Sequence, residues 1–450
     1  MNTLSRNLAG LMLLASGIAA ASPLPVATAQ YGFKAEQAMA VAQTFKPGDI
    51  AAAGDHALYA YLNMAQFFPH QLVSRQGAVR VLSANPDAAL GALRVTTALG
   101  DLSLDEMLAH PQTRVQGFIV LHQGAVVFER YPGMRPDDAH LWWSVAKLFA
   151  GLLTELLIDE GKIERQQNIV TYLPELAGSG WDGVRVDDVL NMASGVDAMD
   201  SVQAYMDRES GIGGLIYAEG VLTPAGHQPA LGHDEALQRM RAEREPGTLY
   251  QYSSANTNVL GVLIERITGQ RYADVVSQRI WAQLGAEGDG LMGMAPDGRA
   301  IAHGMFSSRL RDLARFGQLF TPSGRNPAVL PQVVQARMTD TSKRAHYETA
   351  EAAATAAQAR LGERPVSALA QWDALFEDGD LYKSGFDGQA LYVSPSRDVV
   401  VAMFSTSRDK TAYAYLRPLA RAFPVGAAAP SSCIVGGGPR RRSQHCSSKP

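Results

Sequence analysis

Between Ser144 and Gly161 the sequence holds an apolar run that only a largely buried helix accommodates. Val145, Leu148, Phe149, Leu152, Leu153, Leu156 and Leu157 recur at i, i+3 and i+4, the spacing of one helical face. Ser144, Lys147, Gly151 and Thr154 fall on a different face. Residues three apart on a helix are neighbours, so this hydroxyl and this ammonium stand side by side. A lysine in so apolar a segment is costly unless its charge is used or paired.

Context separates this S-x-x-K from a second one. Ser407-Arg408-Asp409-Lys410 has the same spacing but follows a strand-like run, and no long apolar helix comes after it. A serine hydroxyl is a poor nucleophile at its own pKa and needs a base and a place for an oxyanion. No G-x-S-x-G elbow occurs in the chain, which disfavours an α/β-hydrolase.

Partners for Ser144 are found further on. Gly247 to Ser254 precede a helical pattern from Asn256 to Thr268, closed by Gly269. Tyr252 in that turn is a candidate base, since a neighbouring ammonium favours phenolate and lowers a phenol's pKa. Seen alone, a tyrosine there is more often a packing residue. Lys383-Ser384-Gly385-Phe386-Asp387-Gly388-Gln389 enters a strand at Ala390 to Val393. Its glycines allow close backbone approach, and its N–H groups can complete an oxyanion hole with that of Ser144. In isolation it reads as a plain turn before an edge strand.

A chain of 450 residues with 46% hydrophobic and 19% charged residues has the composition of a globular protein with a sizeable core. Its length suggests two to three domains at ~150 residues each. The net charge of −4 gives no reason to expect nucleic acid or an anionic membrane as partner. Arg6 followed by the apolar Leu8 to Ala20, with Ala19-Ala20-Ala21 before Ser22, predicts a secretory signal over 1–21 and a secreted or periplasmic protein. No other stretch approaches a membrane span. Cys433 and Cys446 both lie near the end, so the globular part has neither a disulfide nor a thiol nucleophile.

Phe118 to Leu121 and Val126 to Arg130 around Gln123-Gly124 predict a β-hairpin. Leu391 to Val393 and Val399 to Phe404 predict another, followed by a helix over Tyr413 to Phe423. Two hairpins from distant parts of the chain can share one antiparallel sheet, with a helical insert between them and the site at the junction. The expected division is an extension over 22–112, with helices at Ala35 to Ala42 and Ala57 to Phe67. A sheet domain follows over 113–165 and 300–425, with a helical domain over 166–299. Residues 426–450, including Arg440 to Arg442, are expected to form a disordered tail.

These pieces, in this order, resemble the β-lactamase-related serine hydrolases: class C β-lactamases, DD-peptidases and family VIII esterases. Within them the chain is most similar to the 6-aminohexanoate-dimer hydrolase-like branch. The resemblance runs from about Gln116 to Phe423. It includes Asp159 to Ile163, Tyr172 to Leu176, Val186 to Gly195, Pro246-Gly247, Arg311 to Gly317 and Gly385 to Gln389.

The resemblance implies an α+β, β-lactamase/transpeptidase-like fold, an antiparallel sheet flanked by helices with an inserted mainly helical domain. It implies an acyl-enzyme on Ser144, with Lys147 and Tyr252 as acid/base pair and no cofactor or metal. Ser144 and Phe386 would hold the oxyanion, and Gly385, Gln389 and Ser254 would line the substrate. Ser254 replaces the asparagine of Y-x-N. Lys383-Ser384-Gly385 can also be taken as a K-T-G variant, which moves the donor. The substrate it implies is a small ester or amide. A penicillin-binding DD-peptidase, a β-lactamase and a catalytically weak envelope-binding protein are the alternatives. The oligomeric state stays open.

Other motifs carry less. Gly178 to Gly183 fits G-x-G-x-x-G but neither follows a strand nor opens a helix. His227 and His233 lie in a loop without H-E-x-x-H. His140 lies close before Ser144, and Tyr205 and Tyr217 lie where gating residues would be placed.

Overall fold

The computed structural model describes residues 24–52, 54–222, 228–342 and 351–426. The proposed signal, Cys433, Cys446, the arginine run and His227 lie outside the described residues. In chain order the strands are β1 (His70–Val73), β2 (Arg94–Thr97), β3 (Gly100–Ser103), β4 (Val115–His122), β5 (Ala125–Arg130), β6 (His140–Leu141), β7 (Gly290–Gly293), β8 (Phe306–Ser308), β9 (Ala374–Leu375), β10 (Leu381–Gly385), β11 (Gln389–Ser394) and β12 (Val399–Ser405).

Both expected hairpins form, and they join one six-stranded antiparallel sheet in the order β5-β4-β12-β11-β10-β9. Gln123 and Gly124, both at positive φ, make the tight turn of the first. The central strands are buried on both faces, and the period of two divides them between two cores. Ile119, Leu121, Val400, Ala402, Leu391 and Val393 face the larger core, which holds the serine helix. Phe118, Val120, Val399, Val401, Ala390 and Tyr392 face a second core closed by Tyr415, Leu416 and Leu419 of the C-terminal segment. The fold is the β-lactamase/transpeptidase-like one, sheets flanked by helices.

The extension does not stand apart. Its β1 pairs with β7 in a second sheet, β1-β7-β8-β6, and β7 falls in the stretch read as helical. Four residues with two glycines give no strand period in the sequence. The expected helix over Ala57 to Phe67 ends at Ala60 and resumes as a short 3-10 turn at Met64–Gln66. The break frees the Tyr61 carbonyl to accept the Leu141 N–H at 2.9 Å.

Candidate active site

Ser144 sits in a 3-10 turn, Trp143–Ala146, that opens the helix Lys147–Asp159. The turn is held from behind. Trp142 N–H donates to the Phe306 carbonyl at 2.7 Å, and its indole Nε1 donates to Ser308 Oγ at 3.0 Å. Its ring stacks on Phe149 with centroids 5.3 Å apart. Trp143 has φ +49°, a strained conformation for so bulky a residue. Gly151 accounts for the small residue on the polar stripe: a Cβ there would lie 2.3 Å from the Ala370 carbonyl oxygen.

Lys147 is wholly buried. Its Nζ lies 3.0 Å from Ser144 Oγ, 3.0 Å from Ser254 Oγ and 2.8 Å from the His303 carbonyl. Burial pulls its pKa down to about 7, against the opposing pull of Asp200. Asp200 accepts from the Ser254 hydroxyl at 2.6 Å and from its N–H at 2.8 Å. His303 is fixed in turn, with Nε2 2.9 Å from Glu219 Oε2, while Asn258 donates to Glu219 Oε1 at 2.6 Å.

Tyr252 lies between two lysines. Its hydroxyl accepts from Lys383 Nζ at 3.2 Å, and the Lys147 and Lys383 ammonium nitrogens lie 5.2 and 4.8 Å from its ring centroid. Lys383 is buried and ion-paired with Asp373 at 2.5 Å. Asp373 also accepts from the Ser384 N–H at 2.8 Å and hydroxyl at 2.6 Å. The expected lowering of the phenol's pKa is not what this setting gives. Burial, then the Asp373 and Asp200 carboxylates, push Tyr252 well above its ordinary value, and a hydrogen bond with Ser144 only partly offsets them. Lys147 therefore titrates near neutrality, whereas Tyr252 is held in its protonated form.

The segment Gly385 to Gln389 closes the site. A Cβ on Gly385 would lie 2.5 Å from the Trp142 carbonyl oxygen, so glycine lets β10 lie against the serine turn. The Phe386 ring packs edge-on to Trp143, centroids 5.6 Å apart. Asp387 follows at φ +57°. Gln389 does not line the pocket as expected. It is buried, its Nε2 donates to the Phe386 and Ser405 carbonyls at 2.8 and 2.7 Å, and its Oε1 accepts from Ser405 N–H. It shapes the loop. Ser254, also expected against substrate, stands behind Lys147 as its link to Asp200.

Sequence reasoning did not find Asp200, Asp373, His303 or Tyr61. Asp373 left a signal, a lone carboxylate between Trp372 and Ala374-Leu375-Phe376. Asp200 sits in an irregular loop, and His303 contributes only a carbonyl. His140 is a core residue, 2.8 Å from Gln116 Oε1 and stacked on Phe404. Ser407 donates to the Gln112 carbonyl at 2.7 Å and opens no long helix. Tyr205 is half-buried and hydrogen-bonded towards Asp200, whereas Tyr217 packs under Arg208. No cluster of three potential metal ligands occurs among the described residues. A surface depression lined by Asp234, Glu265 and Arg299 has its charges paired with one another.

Comparison with known proteins gives the family. The beta-lactamase family model matches residues 104–423. The 6-aminohexanoate-dimer hydrolase of Paenarthrobacter ureafaciens is 32% identical over 360 residues, 79% of this chain and 86% of that protein. A putative 6-aminohexanoate-dimer hydrolase structure from Bacillus anthracis superposes with TM-score 0.68 at 22% identity, covering 82% of this chain and 94% of that one. EstCE1, described as a hydrolase with promiscuous acyltransferase activity, gives TM-score 0.52 at 15% identity over 69% of this chain and 94% of its own. The chain belongs to the beta-lactamase family of serine hydrolases.

Proposed function

We propose that the protein cleaves a small ester or linear amide through an acyl-enzyme on Ser144, with Lys147 as base and Tyr252 as acid. The observation that carries this reading is the set of three contacts made by Lys147 Nζ, which fits a neutral amine. A neutral amine has two hydrogens and one lone pair. The His303 carbonyl can only accept. Ser254 has given its hydrogen to Asp200, so towards Lys147 it also only accepts. Both amine hydrogens are thereby placed, and the lone pair is left facing the Ser144 hydroxyl.

In this reading Ser144 Oγ attacks the carbonyl carbon as its proton passes to Lys147. The oxyanion is held by the N–H groups of Ser144 and Phe386. Tyr252, kept protonated by its surroundings and steadied by Lys383, gives its proton to the departing nitrogen or oxygen as that bond breaks. Water then attacks the ester carbonyl, its proton passes to the site's bases, and Ser144 recovers a hydrogen as the acid leaves. The relative that acts on 6-aminohexanoate dimer supports an open-chain amide as substrate. The sequence of residues 1–21 supports export, which fractionation of the producing cell tests.

The test is hydrolysis of p-nitrophenyl butyrate and of a 6-aminohexanoate dimer by the wild type beside Ser144→Ala, with fluorophosphonate labelling of both. Serine-dependent release and labelling are expected. Equal turnover by Ser144→Ala would sink the assignment, and a folded wild type that is neither active nor labelled would favour a binding protein on this fold.

A further inference from the structure

We infer that Tyr61 is a positioning residue that clamps both halves of the oxyanion hole from outside the family-matched segment. The inference rests on the reading of Ser144 and Phe386 N–H groups as oxyanion donors.

Each proposed donor is flanked by a non-glycine residue in the left-handed region. Trp143, φ +49°, precedes Ser144, and Asp387, φ +57°, follows Phe386. Such conformations persist only where the surroundings hold them, and Tyr61 touches both. It is fully buried. Its phenol donates to Asp387 Oδ2 at 2.9 Å. Its ring packs edge-on to Trp143, centroids 5.7 Å apart, and Trp143 packs edge-on to Phe386. Its carbonyl accepts the Leu141 N–H, three residues before the nucleophile. One residue thus fixes the chain on both sides of the space where the oxyanion would sit.

The contact is not interchangeable with other core packing. The Asp387 carboxylate is buried, and its other oxygen has, among the described residues, Arg408 at 3.8 Å. Burial raises this carboxyl to about 6, and the Tyr61 bond counters that rise. The Asp387 carbonyl accepts Ser407 N–H at 3.0 Å, which holds the loop's far side and leaves the side chain to Tyr61. The segment 22–112, which carries no chemical motif of its own, would act by supplying this residue.

The test is Tyr61→Phe, which keeps the ring and removes the hydroxyl, with Asp387→Ala and the double variant beside it. Each is assayed on p-nitrophenyl butyrate and for inhibition by phenylboronic acid, a tetrahedral mimic that needs the same donors. Tyr61→Phe should lower kcat about ten- to a hundredfold, leave KM within about twofold and weaken boronate inhibition by the same factor as kcat/KM. The double variant should be no slower than the slower single one, because both remove one interaction. A merely structural tyrosine would change thermal stability without this kcat and boronate signature. Turnover within twofold of wild type in folded Tyr61→Phe, or losses that multiply in the double variant, would overturn the clamp. Absence of any Ser144-dependent turnover in the wild type is a different failure: it removes the acyl-enzyme reading and the clamp with it.

Discussion

Ser254 Oγ lies 2.6 Å from Asp200 Oδ2 and 3.0 Å from Lys147 Nζ, so the residue at the third position of the Y-x-N pattern links a carboxylate to the lysine. Through it Asp200 influences Lys147. A negative charge nearby favours the ammonium, so Asp200 holds the lysine pKa up against burial. In Asp200→Asn that support is lost and the pKa falls below about 7. The acidic limb of kcat/KM should therefore move to lower pH. Profiles of both proteins from pH 4.5 to 9 decide it, and an unmoved limb would mean that another group titrates.

In the wild type the base must be neutral. With Lys147 at about 7, kcat/KM should rise about tenfold per pH unit below that point and level off above it. Lys147→Arg fixes the positive charge at every working pH. It should cost about 10²–10⁴-fold, with no recovery at high pH, measured as single-turnover acylation.

Tyr252→Phe should discriminate between leaving groups. An amine cannot depart without a proton, whereas p-nitrophenolate can. Loss of the acid should cost about 10²–10⁴-fold on an amide and far less in the acylation of p-nitrophenyl butyrate. Equal losses on the two substrates would assign Tyr252 to nucleophile activation instead.

Gly385→Ala tests the approach of β10 to the serine turn. Its Cβ would meet the Trp142 carbonyl at 2.5 Å and Gln389 Cβ at 2.7 Å, and backbone cannot yield as a flexible side chain does. Overpacking of this kind costs about 1–3 kcal/mol. Thermal unfolding should show that loss, and turnover of the fraction that remains folded should fall as well, because the strand that moves leads into Phe386.

The pairing of Ser144 with Lys147, the tyrosine turn and both hairpins were legible because each has a local signature: a helical stripe, a capped helix, a period of two. The roles of Gln389 and Ser254 were not, because sequence places a residue near a site without showing which way its side chain is turned. Tyr252 shows a further limit. Its charged neighbours could be guessed only in part, and the unread carboxylates Asp373 and Asp200, together with burial, reverse the direction of its pKa. β1 and β7 are not legible because four residues are too few to show a period, and two of the four in β7 are glycines.

Val399 of β12 pairs with His122 of β4, so the sheet is completed by segments from distant parts of the chain. A ribosome releases the amino-terminal part first. Ser144 and Lys147 therefore emerge early, whereas Asp373, Lys383, the Phe386 loop and β12 come late. A nascent chain carries Ser144 and Lys147 long before it has the surfaces that surround them in the fold. With Ser144 as the attacking group, translation itself keeps the hydrolase silent until the last strand of its sheet has been made.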